Sequence, residues 1–383
     1  MMLSNKLEPQ GIGLVGLGSI STVHRTGYAR YGLPVAAGFD VSPAARNAFQ
    51  QANPAARVYD DLDDLLADPA GTVIDVATPH HRSSRVPLVQ RIAAARKPVF
   101  IQKPLAMCYA DALEMVEALE STGTVGMVNQ NMCFTPGGRA LPPLLIDQQI
   151  LGQPFLAHME LRYCFDCLPD HWFGKDERWW TPGLTVHHLG LLQLLFGPPE
   201  RVYAVVGRDP AQPGVPHDGF GHLTLSYPSG LLVMLLSTGT YYGVHPKRHG
   251  AEELWVQGPK GIVDWQPSEG FTITLREDLD RPEEAERARL VPTPGSWFPD
   301  AFGLGMHHLQ QALQAGVEPL CSVQDNLYVM AVIEASYRSA ATQAPVVLPS
   351  IMGDRYVREY GPGWLHGYRT WAQPEPVVEA HGV

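Results

Sequence analysis

Short apolar runs recur along the first third of the 383-residue chain, and stretches of mixed polarity separate them. Two of the separating stretches, 85–96 and 110–120, are helix candidates, and in the second of them Leu113, Val116 and Leu119 recur at helical spacing. Short, nearly continuous apolar strands that alternate with helices are typical of a parallel sheet covered on both faces. The pattern therefore predicts a doubly wound, Rossmann-type domain over residues 1–130, with strands at 11–15, 35–39, 73–77, 99–101 and 125–128.

The middle of the chain has a different pattern. Polar and apolar residues alternate over 222–227, a Pro-Ser-Gly turn follows, and further short runs follow at 231–236, 254–256, 261–263 and 272–275. Strand-turn-strand order without intervening helices indicates an antiparallel sheet. We expect an α/β protein whose second part, 131–348, is an α+β domain with a large, mostly antiparallel, open-faced sheet. Helices are predicted at 304–315 and 325–341, and 349–383, rich in Pro, Gly and aromatics, is predicted to form an irregular arm.

Composition narrows the possible partners. The formal net charge is −11, whereas a nucleic acid or an anionic membrane requires a basic face. The sequence has no apolar run of 18 residues, and its first ten residues lack the apolar core of a secretory signal. We therefore expect no nucleic-acid or membrane partner and a cytoplasmic location.

The five cysteines suggest reduced thiols rather than a disulfide framework. Cys164 and Cys167 have CxxC spacing, and His171 follows, so a metal can be imagined. A structural zinc site usually takes four ligands from two such pairs, and the sequence has no second pair. We predict no metal.

A glycine-rich turn follows the first predicted strand and precedes a predicted helix. Gly16 and Gly18 form a GxGxxS pattern with Ser19 and Ile20 between its last glycine and its serine. Glycines let the backbone approach a pyrophosphate, whose charge then meets the N-terminus of the helix. Asp40 ends the second strand, where a carboxylate accepts from ribose hydroxyls and repels a 2′-phosphate. The pattern predicts a dinucleotide site that prefers NAD to NADP.

Three motifs then carry a resemblance that covers about residues 11–348: GLVGLGSIS, VIDVATPHH and FIQKPLAM. With the later segments VNQNMCFTPGGRAL and TPGLTVHHLGLLQLLFG, the chain resembles the glucose–fructose oxidoreductase/inositol dehydrogenase/rhizopine-catabolism (Gfo/Idh/MocA) family. The resemblance implies a nicotinamide cofactor on the first domain. It implies a second domain whose sheet contacts other subunits, giving a homodimer or homotetramer. The substrate would be a sugar, a sugar acid or a cyclic polyol.

The resemblance also implies two catalytic residues. Lys103 matches the lysine of the family's Glu-Lys-Pro motif and would stabilise alkoxide character on the reacting oxygen. His187 matches the histidine that follows an aspartate by four residues, and it would act as acid and base near neutral pH. A solvent-seeking lysine at a strand end and a buried structural histidine are the alternative interpretations.

Five positions depart from the family pattern. Gln102 replaces the glutamate, Gly183 the aspartate and His80 the asparagine of ATPN, while Met132 and Cys133 replace two basic residues after Asn131. Together these departures indicate an unusual substrate or altered chemistry. Further contacts to the cofactor are expected from Thr78, Pro79, His80, Gln102 and Lys103.

The segment 162–180 is rich in aromatic and polar side chains and precedes the His187 helix. Aromatic faces stack on sugar C–H surfaces, and Arg and His bind hydroxyl or carboxylate groups. A packed loop with a solvated turn is the alternative. The expected substrate contacts are Asn131, Arg162, His171, Arg178, Trp179 and His187.

The sequence therefore favours an NAD-dependent dehydrogenase of a carbohydrate-like secondary alcohol. Two other functions stay open: redox-assisted cleavage or isomerisation with tightly held NAD, and a non-catalytic regulator that senses NAD or a sugar. Retention of Lys103 and His187 argues against the regulator.

Overall fold

The computed structural model describes residues 7–165, 178–243, 252–266, 270–281, 283 and 288–357. Its contacts divide the chain into two compact units. Within the described residues, unit 1 holds 7–134 and 296–327, and unit 2 holds 135–295 and 328–357. Unit 1 thus takes in a segment, 296–327, that the sequence analysis placed in the second domain.

Unit 1 is built on a six-stranded sheet in the order β3-β2-β1-β4-β5-β6, in which every described pairing is parallel. Strands β1, β4, β5 and β6 are mainly apolar and buried along their whole length, and the predicted doubly wound sheet is confirmed. The sequence pattern missed only the short, partly exposed β3. The elements are β1 (Ile12–Val15), α1 (Ser19–Arg30), β2 (Val35–Phe39), α2 (Pro43–Ala52), β3 (Arg57–Tyr59), α3 (Leu62–Ala67), β4 (Val73–Val76), α4 (Arg82–Ala94), β5 (Val99–Gln102), α5 (Tyr109–Thr122) and β6 (Gly126–Asn129).

The rest of the chain adds nine strands and five helices among the described residues. They are α6 (Pro136–Pro142), β7 (Leu156–Arg162), α7 (Val186–Phe196), β8 (Arg201–Arg208), β9 (Asp218–Ser226), β10 (Leu232–Thr238), β11 (Glu252–Gly258), β12 (Gly261–Gln266), β13 (Gly270–Leu275), β14 (Ala288–Val291), α8 (Asp300–Ala315), α9 (Val323–Thr342), β15 (Val346–Val347) and α10 (Pro349–Met352).

Helix α8 belongs to unit 1 and packs closely on α1. The two helices meet at Gly27 and Gly303, where a Cβ on Gly303 would lie 2.4 Å from the carbonyl oxygen of Gly27. A Cβ on Gly27 would lie 2.7 Å from the nitrogen of Gly303, so neither position accepts a side chain without moving a backbone.

Unit 2 contains a nine-stranded sheet in the order β14-β13-β12-β11-β7-β10-β9-β8-β15. Among the described strands β7 and β10 pair in parallel, and the other pairings are antiparallel, which confirms the predicted mostly antiparallel sheet. One face of the sheet is covered by helices. On this face, the hydroxyl of Ser339 in α9 accepts a hydrogen bond of 2.9 Å from the backbone N–H of Ala204 in β8.

The opposite face of this sheet is open. On β10, Leu232 and Leu236 are each 36% exposed, whereas Val233 and Leu235 are fully buried. On β9, Leu223 and Leu225 are buried and so lie on the face that the helices cover. Successive side chains of a strand point to opposite faces of the sheet, so the residues on either side of a buried one lie on the open face. The open face presents Tyr203, Val205, His222, Leu232, Met234 and Leu236.

Within the described chain, no helix combines the length and the apolar character needed to cross a bilayer.

Candidate active site

The glycine-rich turn lies between β1 and α1, as predicted. Gly16 has φ of +92°, and a Cβ there would lie 2.8 Å from the carbonyl carbon of Ala77, so this position requires glycine. A Cβ at Gly18 would meet nothing within 4 Å, and no side chain caps the N-terminus of α1. Ser19 is exposed and Ile20 half-buried at this helix start. An open, uncapped helix N-terminus beside a tight turn fits a pyrophosphate group.

Asp40 follows β2 and is joined to this turn. Its Oδ2 accepts a hydrogen bond of 2.7 Å from the backbone N–H of Leu17, and its Oδ1 accepts one of 2.8 Å from Ser42. Each carboxylate oxygen retains a second lone pair, so Asp40 can still accept from ribose hydroxyls. Arg46 donates to the backbone carbonyl of Asp40 at 2.7 Å, which places a cation close by that the sequence analysis did not consider.

The segment after β4 carries the altered ATPN motif. Thr78 is half-buried, Pro79 is exposed, and His80 is only 3% exposed, with its ring centroid 6.3 Å from that of His81. The carbonyl of Thr78 accepts a hydrogen bond from Arg85 of α4. These residues follow β4 directly, so they lie at the carboxyl edge of the sheet, together with the glycine-rich turn.

Gln102 and Lys103 lie at the end of β5, on the same edge. Gln102 is buried, and its Oε1 accepts a hydrogen bond of 3.0 Å from Nδ2 of Asn129, its partner on β6. Burial, followed by the positive charge of Arg85, lowers the pKa of Lys103 from 10.5 to about 7. An amine with this pKa is neutral in a large fraction of molecules near pH 7, which suits a group that takes part in proton or charge transfer.

Asn131 lies just beyond β6 in a short 3₁₀ helix, Asn131–Phe134. It is 1% exposed, and its Oδ1 accepts a hydrogen bond of 2.9 Å from Nε1 of Trp297. This bond orients the amide, leaving its NH₂ group as the donor toward other partners. Trp297 was missed by the sequence analysis, because the two residues are 166 positions apart.

In unit 2, His187 lies in the first turn of α7 and is 8% exposed. Gly183 lies one turn earlier, in a π-helical turn, Thr181–Thr185, that leads into α7, and it has no side chain to offer His187. His188 is 1% exposed within the packed helix.

A buried carboxylate that the sequence analysis missed holds the start of this helical stretch. Asp218 of β9 accepts from the backbone N–H of Trp179 at 2.8 Å and from the backbone N–H and hydroxyl of Thr181, each at 2.7 Å. It also accepts from the hydroxyl of Tyr337 at 2.8 Å. Four hydrogen bonds to one carboxylate fix the segment that precedes His187.

Arg178 binds helix α9. Its Nη1 donates to Glu334 at 2.7 Å, and its guanidinium lies 4.4 Å from the ring centroid of Tyr337. Burial raises the pKa of Glu334, but the hydrogen bond and charge of Arg178, together with Arg338, outweigh it and leave the pKa lowered. Arg178 is thus held in a structural contact on α9.

Trp179 and Arg162, both expected to contact the substrate, lie in different surroundings. Trp179 is fully buried in a cluster with Trp180, Leu161, Tyr163 and Val215. Arg162 follows Leu161 on β7 and so points to the open face, where it pairs with glutamates at 160 and 253. His171 and Cys167 lie outside the described residues.

Comparison with known protein families gives two matches. Residues 10–130 match the model described as oxidoreductase family, NAD-binding Rossmann fold. Residues 145–348 match the model of the oxidoreductase family's C-terminal alpha/beta domain. The chain belongs to the Gfo/Idh/MocA oxidoreductase family. It is therefore an oxidoreductase whose first domain is of the NAD-binding type, as the resemblance implied.

Curated relatives in this family include a D-apiose dehydrogenase of Paraburkholderia graminis, 28% identical over 88% of this chain and 89% of that protein. An inositol 2-dehydrogenase of Acidothermus cellulolyticus is 32% identical over 67% of this chain and 73% of that protein. A solved levoglucosan dehydrogenase in complex with NADH and levoglucosan superposes with a TM-score of 0.78 at 19% identity, covering 89% of this chain and 100% of that one, which shows the shared fold.

Proposed function

We propose that this Gfo/Idh/MocA oxidoreductase transfers a hydride between a nicotinamide and a secondary alcohol of a sugar, sugar acid or cyclic polyol. The observation that carries the proposal is Lys103, which follows β5 directly, at the edge that also holds Gly16 and Asp40, and whose pKa is lowered to about 7. A titratable amine at the edge where the cofactor binds is suited to act on the reacting oxygen.

The residues of the glycine-rich turn and Asp40 would hold the cofactor, and the bound nicotinamide supplies the acceptor for the hydride. Lys103 in its cationic form would stabilise negative charge on the substrate oxygen. His187 would take the hydroxyl proton, since a neutral imidazole is a base suited to neutral pH. Asn131, held by Trp297, would donate a hydrogen bond to a substrate hydroxyl.

The substrate class rests on the relatives, which are dehydrogenases of apiose and inositol. Three replacements, Gln102, Gly183 and His80, remove acidic or amide groups found in the family pattern. Removing acidic groups makes a site more receptive to an anionic substrate, so sugar acids belong in any substrate screen.

The test is a screen of sugars, sugar acids and polyols that follows NADH absorbance. Once a substrate is found, Lys103→Ala and His187→Ala should each lower kcat by about two or more orders of magnitude, with NAD binding nearly intact. Lys260→Ala and His222→Ala, at exposed positions, are the matched controls and should keep full activity. Full turnover in both active-site variants would show that the chemistry lies elsewhere, and turnover without added NAD would favour redox-assisted cleavage.

A further inference from the structure

Helix α4 carries a buried arginine with an unusual set of partners. Arg85 is 1% exposed. Its Nη1 donates to the carbonyl of Gln102 at 2.8 Å and to that of Pro104 at 2.5 Å, and its Nη2 donates to the carbonyl of Thr78. One guanidinium thus binds three backbone carbonyls, all within unit 1.

The three carbonyls belong to the cofactor-binding edge. Gln102 and Pro104 flank Lys103, and Thr78 lies in the altered ATPN motif after the neighbouring strand, since β4 and β5 pair side by side. The planar fork of an arginine can hold several acceptors in a fixed arrangement, which an amine or a single amide cannot do. Arg85 therefore joins the two loops and fixes the main chain on both sides of Lys103.

Burying a cation here costs free energy that a neutral group would not cost. Among the described residues, Arg85 donates these hydrogen bonds to neutral carbonyls, and a neutral donor could also have satisfied those carbonyls. Because the buried positive charge of Arg85 lowers stability, its presence indicates that the charge itself has a function at this site.

We propose that Arg85 is a positioning residue for hydride transfer: it holds the Gln102–Pro104 turn against Thr78 and keeps a fixed positive charge beside the amine of Lys103. This inference rests on the proposed function of Lys103. It concerns a residue that the family motifs discussed above do not include.

The charge has a defined effect on Lys103. A like charge disfavours the cationic form of a neighbour, so Arg85 adds to burial in lowering the pKa of Lys103 to about 7. The amides of Gln102, the residue before Lys103, and of Asn129 bind each other and carry no charge. Without Arg85, Lys103 would stay protonated to a higher pH.

Two variants separate position from charge. Arg85→Lys keeps a cation but loses the fork, and Arg85→Gln keeps an amide donor but loses the charge. Arg82→Gln is the matched control, because Arg82 lies one turn away on the same helix, is largely exposed, and pairs with Asp111 and Glu114 on α5.

The readouts are the pKa of Lys103, measured by competitive amine labelling across pH with peptide mass spectrometry, and kcat of the enzyme with NAD. Arg85→Gln should raise the labelling pKa by about 1 unit. Arg85→Lys should leave it nearly unchanged while lowering kcat by about tenfold or more, because a misplaced group loses alignment. Arg82→Gln should change neither quantity.

Unchanged labelling pKa and unchanged kcat in a folded Arg85→Gln protein would overturn the inference. If that variant does not fold, full kcat in Arg85→Lys would overturn it instead. A raised labelling pKa with an unaltered kcat would also overturn the positioning role of Arg85, whereas full kcat in Lys103→Ala would overturn the catalytic role proposed for Lys103, so the two failures differ.

Discussion

His24 on α1 lies with its Nδ1 2.8 Å from Oδ2 of Asp75 in the central strand β4, and neither side chain is exposed. The hydroxyl of Tyr28 donates to the same oxygen at 2.6 Å. Burial, followed by the charge of Asp75, raises the pKa of Tyr28 well above its ordinary value. A carboxylate in the middle of a buried parallel strand is tolerated because two neighbours on one helix face bond to it.

We therefore expect Tyr28→Phe to lower the free energy of unfolding by about 1–3 kcal/mol, since it leaves the buried carboxylate short of one donor. Asp75→Val should also destabilise, because it leaves the Tyr28 hydroxyl and His24 without their shared acceptor. The double variant should lose less than the sum of the two, as expected for residues in contact. Urea denaturation measures all three, with Tyr203→Phe on the open sheet face as control; strict additivity would contradict the direct coupling.

The preference for NAD over NADP tests the role assigned to Asp40. We expect the unmodified enzyme to bind NAD more tightly than NADP, because the carboxylate repels a 2′-phosphate. Asp40→Ala should narrow that preference, with Arg46 beside it then able to attract the phosphate. Fluorescence titration with NADH and NADPH measures both affinities. Equal affinities in the unmodified protein would rule out the assigned role of Asp40.

Replacing the amide of Gln102 by a carboxylate tests how a negative charge next to Lys103 changes activity. A glutamate there would favour the ammonium form of Lys103 and raise its pKa above about 7, so activity that needs the cation should persist to higher pH. The same negative charge should raise KM for a carboxylated substrate more than for a neutral polyol, by up to ~1–2 kcal/mol of lost binding.

The measurement for this prediction is a pH–rate profile of Gln102→Glu on both kinds of substrate. Gln102→Met is the control, because it removes the hydrogen bond to Asn129 without adding charge. If Gln102→Met shifts the profile as far as Gln102→Glu does, the effect is structural rather than electrostatic.

Assembly through the open sheet face is a further prediction. Leu232 and Leu236 lie on this face in β10, next to the central strand β7, and exposed apolar side chains in such a position favour a covering partner. We propose a homodimer or a dimer of dimers, and Leu232→Glu combined with Leu236→Glu should reduce the mass measured by light scattering. Val41→Glu, at an 84% exposed position of unit 1, should not. A monomeric mass for the unmodified protein at micromolar concentration would exclude the proposal.

The sequence predicted the parts of the molecule that depend on local pattern. The strands of the first sheet are mainly apolar, strands of the second alternate polar and apolar residues, and the glycine-rich turn between strand and helix has a recognisable spacing. Both sheets and the position of Gly16 were therefore found. Arg85 and Asp218 could not be found in this way, because each is defined by its partners. Those of Arg85 are backbone carbonyls, and those of Asp218 lie 37 to 119 positions away. In the sequence, nothing distinguishes Asp218 from any other acidic residue at the start of a strand.

The close meeting of Gly27 and Gly303 has a consequence for how the protein is made. Met127 of β6 also forms a β-bridge with Ser322. Unit 1 is therefore completed by a segment that leaves the ribosome nearly two hundred residues after β6, the last strand of its parallel sheet. Domains generally fold as units during synthesis, and contacts between distant residues form slowly. Until residues 296–327 emerge, the nascent unit exposes the face of α1 that carries Gly27, which makes it a candidate for chaperone binding and makes a fragment ending near residue 134 a poor choice for expression.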